Sequence, residues 1–106
     1  MVIYTKKIDS DNIEDFISSD FKLIYIWAPW FKPSEENLQS IDYLSYKFKD
    51  IISIGKINIE ENKDLVKKLN IRNIPIAILY KDGNKLDTLE DINKKKLVKF
   101  IEENKI

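Results

Sequence analysis

Leu23-Ile24-Tyr25-Ile26-Trp27-Ala28-Pro29-Trp30-Phe31-Lys32-Pro33-Ser34 is the stretch that decides the architecture. Residues 22–27 are nearly all apolar, the pattern of a strand covered on both faces rather than on one. Pro33 then suits the opening of a helix, because the N–H that proline lacks would find no partner in the first turn. Leu38, Ile41, Leu44 and Phe48 follow at helical spacing, so the helix is expected to run from Pro33 to Phe48.

Upstream, residues 2–6 read as a short edge strand. Asp11 with Glu14 three residues on has the form of a capping box ahead of Ile13, Phe16 and Ile17. Downstream, residues 51–59 form an Ile-rich strand, and Asn62 is placed to cap a helix with Leu65, Val66 and Leu69 inward. Residues 76–80 and 85–89 flank Lys81-Asp82-Gly83-Asn84, where Asp-Gly signals a hairpin turn. Asn93 caps a last helix that buries Leu97, Phe100 and Ile101. The order is βαβαβαββα in one domain, residues 1–106. It predicts an α/β fold with a central mixed sheet flanked by helices on both faces, the terminal hairpin adding an antiparallel edge.

Composition narrows the chemistry. The 106 residues are 43% hydrophobic and 34% charged, enough for one core and far from disorder. Eighteen basic and eighteen acidic side chains cancel, which lends no support to nucleic-acid binding. Met1 to Ile8 has no apolar signal-peptide region, and residues 23–31 are too few to cross a bilayer, so a soluble, cytoplasmic protein without membrane contact is expected. Cysteine and histidine are both absent. Disulfides, thiolate nucleophiles, thiolate or imidazole metal sites and Ser-His-Asp triads go with them. Two glycines cannot build a Gly-rich phosphate cradle. No cofactor and no metal is expected. Glu60-Glu61 and Glu102-Glu103 read as solvated carboxylates, and Lys67-Lys68 and Lys94-Lys95-Lys96 as wet helix faces.

Residues 23–34 resemble the strand and active-site turn of the thioredoxin family, where Trp-Ala-x-Trp leads into Cys-Gly-Pro-Cys. Lys56-Ile57-Asn58-Ile59-Glu60 and Ile71-Arg72-Asn73-Ile74-Pro75 resemble the family's Lys-x-Asn-x-Asp strand and its Ile-Arg-x-Ile-Pro turn. The matches keep order and spacing over nearly the whole chain. The resemblance implies a thioredoxin fold with Pro75 as the cis-proline facing the turn. It also implies a surface Trp30, with Ile59, Ile74 and Pro75 completing an apolar groove for extended partner peptide.

The departures bear on function. Phe31 stands where the resemblance puts the attacking cysteine, and Ser34 where it puts the resolving one. A helix N-terminus can stabilise a thiolate, but a phenyl ring has nothing to ionise and a serine hydroxyl needs a base that the sequence does not offer. No dithiol/disulfide couple can form without cysteine. Tyr25 takes the place of the family's buried acid, leaving Lys56 without that partner, while Glu90 and Asp91 bring two carboxylates to the groove edge. Phe31 is open to two readings: an anchor paired with Trp30, or a ring that drifted in after the thiol was lost and packs over Trp30 and Pro75. Ser34 is expected as a capping or first-turn hydroxyl, with Glu35 and Glu36 favoured beside it by the helix dipole. Trp27 is expected in the core.

No catalytic residue is expected. The sequence points to a redox-inactive module that uses Trp30, Phe31, Ile59, Ile74, Pro75 and Glu90 to hold a protein or extended peptide. The alternative is a regulatory or decoy partner of a thioredoxin/thioredoxin reductase system in cell redox homeostasis.

Overall fold

The computed structural model describes residues 4–105. Its elements are β1 (Lys6–Lys7), α1 (Ile13–Ile17), β2 (Phe21–Trp27), α2 (Lys32–Glu36), α3 (Leu38–Lys47), β3 (Ser53–Asn58), a short 3₁₀ turn (Ile59–Glu61), α4 (Lys63–Lys68), β4 (Ile76–Lys81), β5 (Asn84–Leu89) and α5 (Lys94–Asn104). The strands form one sheet in the order β1-β3-β2-β4-β5. β3 runs parallel to β1 and β2, whereas β4 is antiparallel to β2 and β5 to β4. The α/β mixed sheet read from the sequence is the one found.

β2 lies at the centre and explains its own composition. Leu23 and Tyr25 face a cluster with Ile41 and Leu44 of α3 and Leu97 and Ile101 of α5. Ile24 and Ile26 face the opposite cluster, with Ile13 and Phe16 of α1 and Leu65 of α4. Alternate side chains enter two dry layers, so no position from Leu23 to Ile26 is left for a solvated group. The hairpin closes through Asp82 (φ 49°) and Gly83 (φ 88°), two left-handed residues in succession as a type I′ turn requires.

Several local expectations are corrected. The first strand is Lys6–Lys7 rather than residues 2–6, of which Val2 and Ile3 lie outside the described residues. Asp11 does not cap α1. Instead Asp9 Oδ1 accepts the N–H groups of Asp11 and Asn12 at 2.9 and 3.1 Å, while Asn12 Oδ1 accepts the N–H of Asp9. Asn62 stands at the start of α4, yet its amide turns back to donate to the Asn58 carbonyl at 2.9 Å and makes no cap bond. Asn93 does cap, accepting from the Lys96 N–H at 2.9 Å. The helix expected to run unbroken from Pro33 divides at Asn37, whose side chain takes the Pro33 carbonyl at 3.1 Å that the helical ladder would otherwise use. Among the described residues no helix is long and apolar enough to cross a membrane.

Candidate functional site

The segment between β2 and α2 is built by its prolines. Phe31 N–H donates to the Ala28 carbonyl at 3.2 Å, closing a four-residue turn with Pro29 at the second position, where its fixed φ is favourable. That turn carries Trp30 outward, 63% exposed. Phe31 is extended (φ −103°, ψ 97°) and precedes α2, its carbonyl accepting the N–H groups of Ser34 and Glu35 at 3.0 and 3.2 Å. The half-buried Phe31 ring leans on Trp30, with centroids 6.2 Å apart and planes at 57°.

Ser34 is fully buried. Its Oγ accepts the Ala28 N–H at 3.1 Å and lies 2.7 Å from the Phe31 carbonyl and 3.0 Å from that of Ala28, either of which can take its proton. The hydroxyl therefore sits in the first turn as expected, but it ties down the preceding loop instead of capping the helix. Beneath it, the buried Tyr25 hydroxyl donates to the Ser34 carbonyl at 2.7 Å. Burial, offset in part by the Asn37 side chain, pushes the Tyr25 phenol up from 10.0 to about 12. At neutral pH this position holds an uncharged donor.

Lys56 finds the partner that the sequence left open. Its Nζ lies 3.4 Å from Oδ1 of Asp42 on α3, which also accepts from Thr5 Oγ1 at 3.2 Å. Nothing in the spacing of Asp42 signals this, because the pair forms across the α3–β3 packing. Asn37 was equally silent: besides Pro33 it holds the Ile92 carbonyl at 3.2 Å, linking α2 to the segment before α5.

Sheet register brings the remaining residues to the same end. Trp27 pairs with Asn58, Ile26 with Ile76, and Ala77 with Leu89. Ile59, Ile74-Pro75 and Glu90 each follow or precede one of those paired ends, so all three strand termini converge beside the Ala28–Phe31 turn. The Ile74–Pro75 bond is cis. Ile59 and Ile74 are half-buried against the α1/α4 cluster, which leaves part of each for a surface. At the two-carboxylate edge, Asp91 is ion-paired with Lys96, and Glu90, which accepts from Asn73 Nδ2 at 3.3 Å, has no cation partner among the described residues. Trp27 is half-buried, packing on the α3/α5 cluster while also lining a cleft. No group of three or more carboxylates among the described residues is placed to hold a metal ion.

The family model described as Thioredoxin matches residues 4–103. The chain is 27% identical over 105 residues to thioredoxin-T of Drosophila melanogaster, covering 97% of this chain and 67% of that protein. It is 31% identical over 93 residues to the thioredoxin of Rickettsia bellii, covering 86% and 89%. Among solved structures, the thioredoxin Mala s 13 of Malassezia sympodialis superposes with a TM-score of 0.87 at 22% identity, over 96% of this chain and 91% of that one.

Proposed function

Because this chain belongs to the thioredoxin family and yet contains no cysteine, we propose that it is a redox-inactive binding module acting in the cytoplasm. It holds a protein or an extended peptide in the groove of Trp30, Phe31, Ile59, Ile74 and Pro75, with Glu90 at the edge. The observation that carries this reading is the Trp30–Phe31 pair, a 63% exposed indole braced by a neighbouring ring at the end of the sheet where three strand termini converge. A rigid aromatic pair is the kind of anchor that interface hot spots use, since it buries large area at little entropic cost. Phe31 enlarges that apolar patch, and Glu90 adds a carboxylate that favours a basic group on the partner.

The test is affinity capture with the wild type, Trp30→Ala and Phe31→Asp. The reading requires a set of partners that both substitutions remove. An unchanged set refutes the groove, and reduction of insulin by the purified chain refutes redox inactivity.

A second reading is favoured by the retention of Trp30 and of the Ile74-Pro75 turn in a chain with no cysteine to react. The module would then dock on a thioredoxin reductase and compete with an active thioredoxin. Reductase turnover measured with and without excess of this chain decides it, and no inhibition excludes docking.

A further inference from the structure

On the α3 side of the sheet, next to the groove but sharing no residue with it, Lys7, Trp27, Lys56, Asn58 and Glu61 line a cleft of about 250 Å³. We propose that this cleft binds a small planar carboxylate, with the acid group on Lys56 and Asn58 and the flat apolar part against Trp27. Four of the five residues are held by the main-chain ladder, Lys7 opposite Lys56 and Trp27 opposite Asn58, so the wall is part of the sheet and not a mobile fringe. They stand at the carboxyl ends of the parallel strands β1, β3 and β2, the position at which open α/β sheets commonly receive ligands.

The donor inventory points to an anion. The Lys56 ammonium has three N–H groups and its side chain is only 24% exposed, yet the Asp42 carboxylate at 3.4 Å is its one acidic partner among the described residues. Asn58 Oδ1 accepts the Glu60 N–H at 3.0 Å, which orients the amide, and no protein acceptor for Nδ2 is found among the described residues. Glu61, the one acidic lining residue, is already matched by Lys7 at 3.3 Å. Solvent-facing donors beside an indole wall match the general form of a ligand site, a largely apolar hollow with a few convergent polar groups. A volume of this size admits a ligand of about one or two rings. Asp42 beside Lys56 weakens the positive field, which favours a singly charged carboxylate over a doubly charged phosphate.

The cleft shares no residue with the Trp30–Phe31 groove, so either assignment can fail alone. The experiment is two-dimensional amide NMR of the whole chain titrated with benzoate and, separately, with neutral benzamide. Benzoate is expected to shift the Trp27 indole N–H (identified by its loss in Trp27→Phe) and the Asn58 side-chain amide in a saturable way, leaving the Trp30 indole unmoved. Benzamide should bind about tenfold more weakly, as loss of one charge-assisted contact requires, and Lys56→Gln should weaken benzoate by about the same factor. Equal binding of benzoate and benzamide, no saturable shift at millimolar benzoate, or shifts centred on Trp30 would each overturn the proposal. The benzoate–benzamide comparison needs only the wild type, so it decides the matter even if Lys56→Gln disturbs the fold. Acetyl-glycyl-phenylalanine and its C-terminal amide separate the possible sources. Free-acid peptide bound at least as tightly as benzoate, with its amide weaker, assigns the site to a chain terminus. Peptide bound more weakly than benzoate assigns it to a free acid.

Discussion

Ser34→Ala and Ser45→Ala remove the same atom from two equally buried serines, with Ser34 0% and Ser45 2% exposed, and they should differ sharply. Ser34 Oγ is the acceptor for the Ala28 N–H at 3.1 Å. Its removal leaves the carbonyls supplied, because Ala28 still accepts from the Phe31 N–H and Phe31 from the N–H groups of Ser34 and Glu35. The Ala28 N–H, however, is stranded in a dry site. An orphaned buried donor costs about 1–3 kcal/mol. At about 5 °C per kcal/mol for a chain of this size, Ser34→Ala should lower the Tm by roughly 5–15 °C. Ser45 Oγ donates only to the Asp42 carbonyl at 2.7 Å, one turn back in α3. That carbonyl already belongs to the helical ladder, so Ser45→Ala strands nothing and gains about 0.5 kcal/mol of helix propensity. Calorimetric or circular-dichroism melts of both variants provide the measurement. Equal losses at the two sites, or a Ser34→Ala cost below about 0.5 kcal/mol, would refute the orphan-donor reasoning.

Two further outcomes follow from the core. A Cβ on Gly55 would overlap Ile8 Cγ1 and come within 2.9 Å of Ile8 Cδ1 and 3.1 Å of Phe16 Cε2, so Gly55→Ala should destabilise by about 1–3 kcal/mol. An unchanged urea midpoint contradicts it. For pH dependence, the phenol of Tyr25 ionises near 10 when unfolded but only at about 12 when folded, so its contribution to stability is complete below pH 10 and is lost as pH rises towards 12. Wild-type stability should therefore fall faster than that of Tyr25→Phe across that interval, by up to about 1.4 kcal/mol per pH unit, whereas parallel curves would show that Tyr25 is not desolvated. Tyr80, also raised by burial, is common to both proteins and cancels in the comparison.

Long-period patterns were legible because they report how a segment meets the core. The unbroken apolar run of β2, the stripes of α3 and α5 and the Asp82-Gly83 turn lie where the sequence pattern puts them, since each depends on residues close together in the chain. The side-chain caps expected at α1 and α4 do not form. Asp11 is chemically suited to cap α1, but no side chain caps it, because Asp9 ties down the loop that leads in from β1. In the sequence Asn37 is one more helical position, because nothing local shows that Pro33 and Ile92 both present carbonyls to its amide.

By itself the sequence determined the family and the absence of cysteine, because a thiol that no residue carries cannot be supplied by folding. The resemblance that it carries further implies that Phe31, Ser34 and Tyr25 stand where the family has its two cysteines and its buried acid. Tertiary structure alone decided what those residues do. Only packing of α2 onto β2 buries Ser34 against Ala28 and sets the Tyr25 hydroxyl beneath its carbonyl. Only the α3–β3 contact gives Lys56 its Asp42, and only the turn into α5 pairs Asp91 with Lys96 while Glu90 meets Asn73. Hydrogen bonds and ion pairs depend on distance in space, and the chain order of these partners does not encode it.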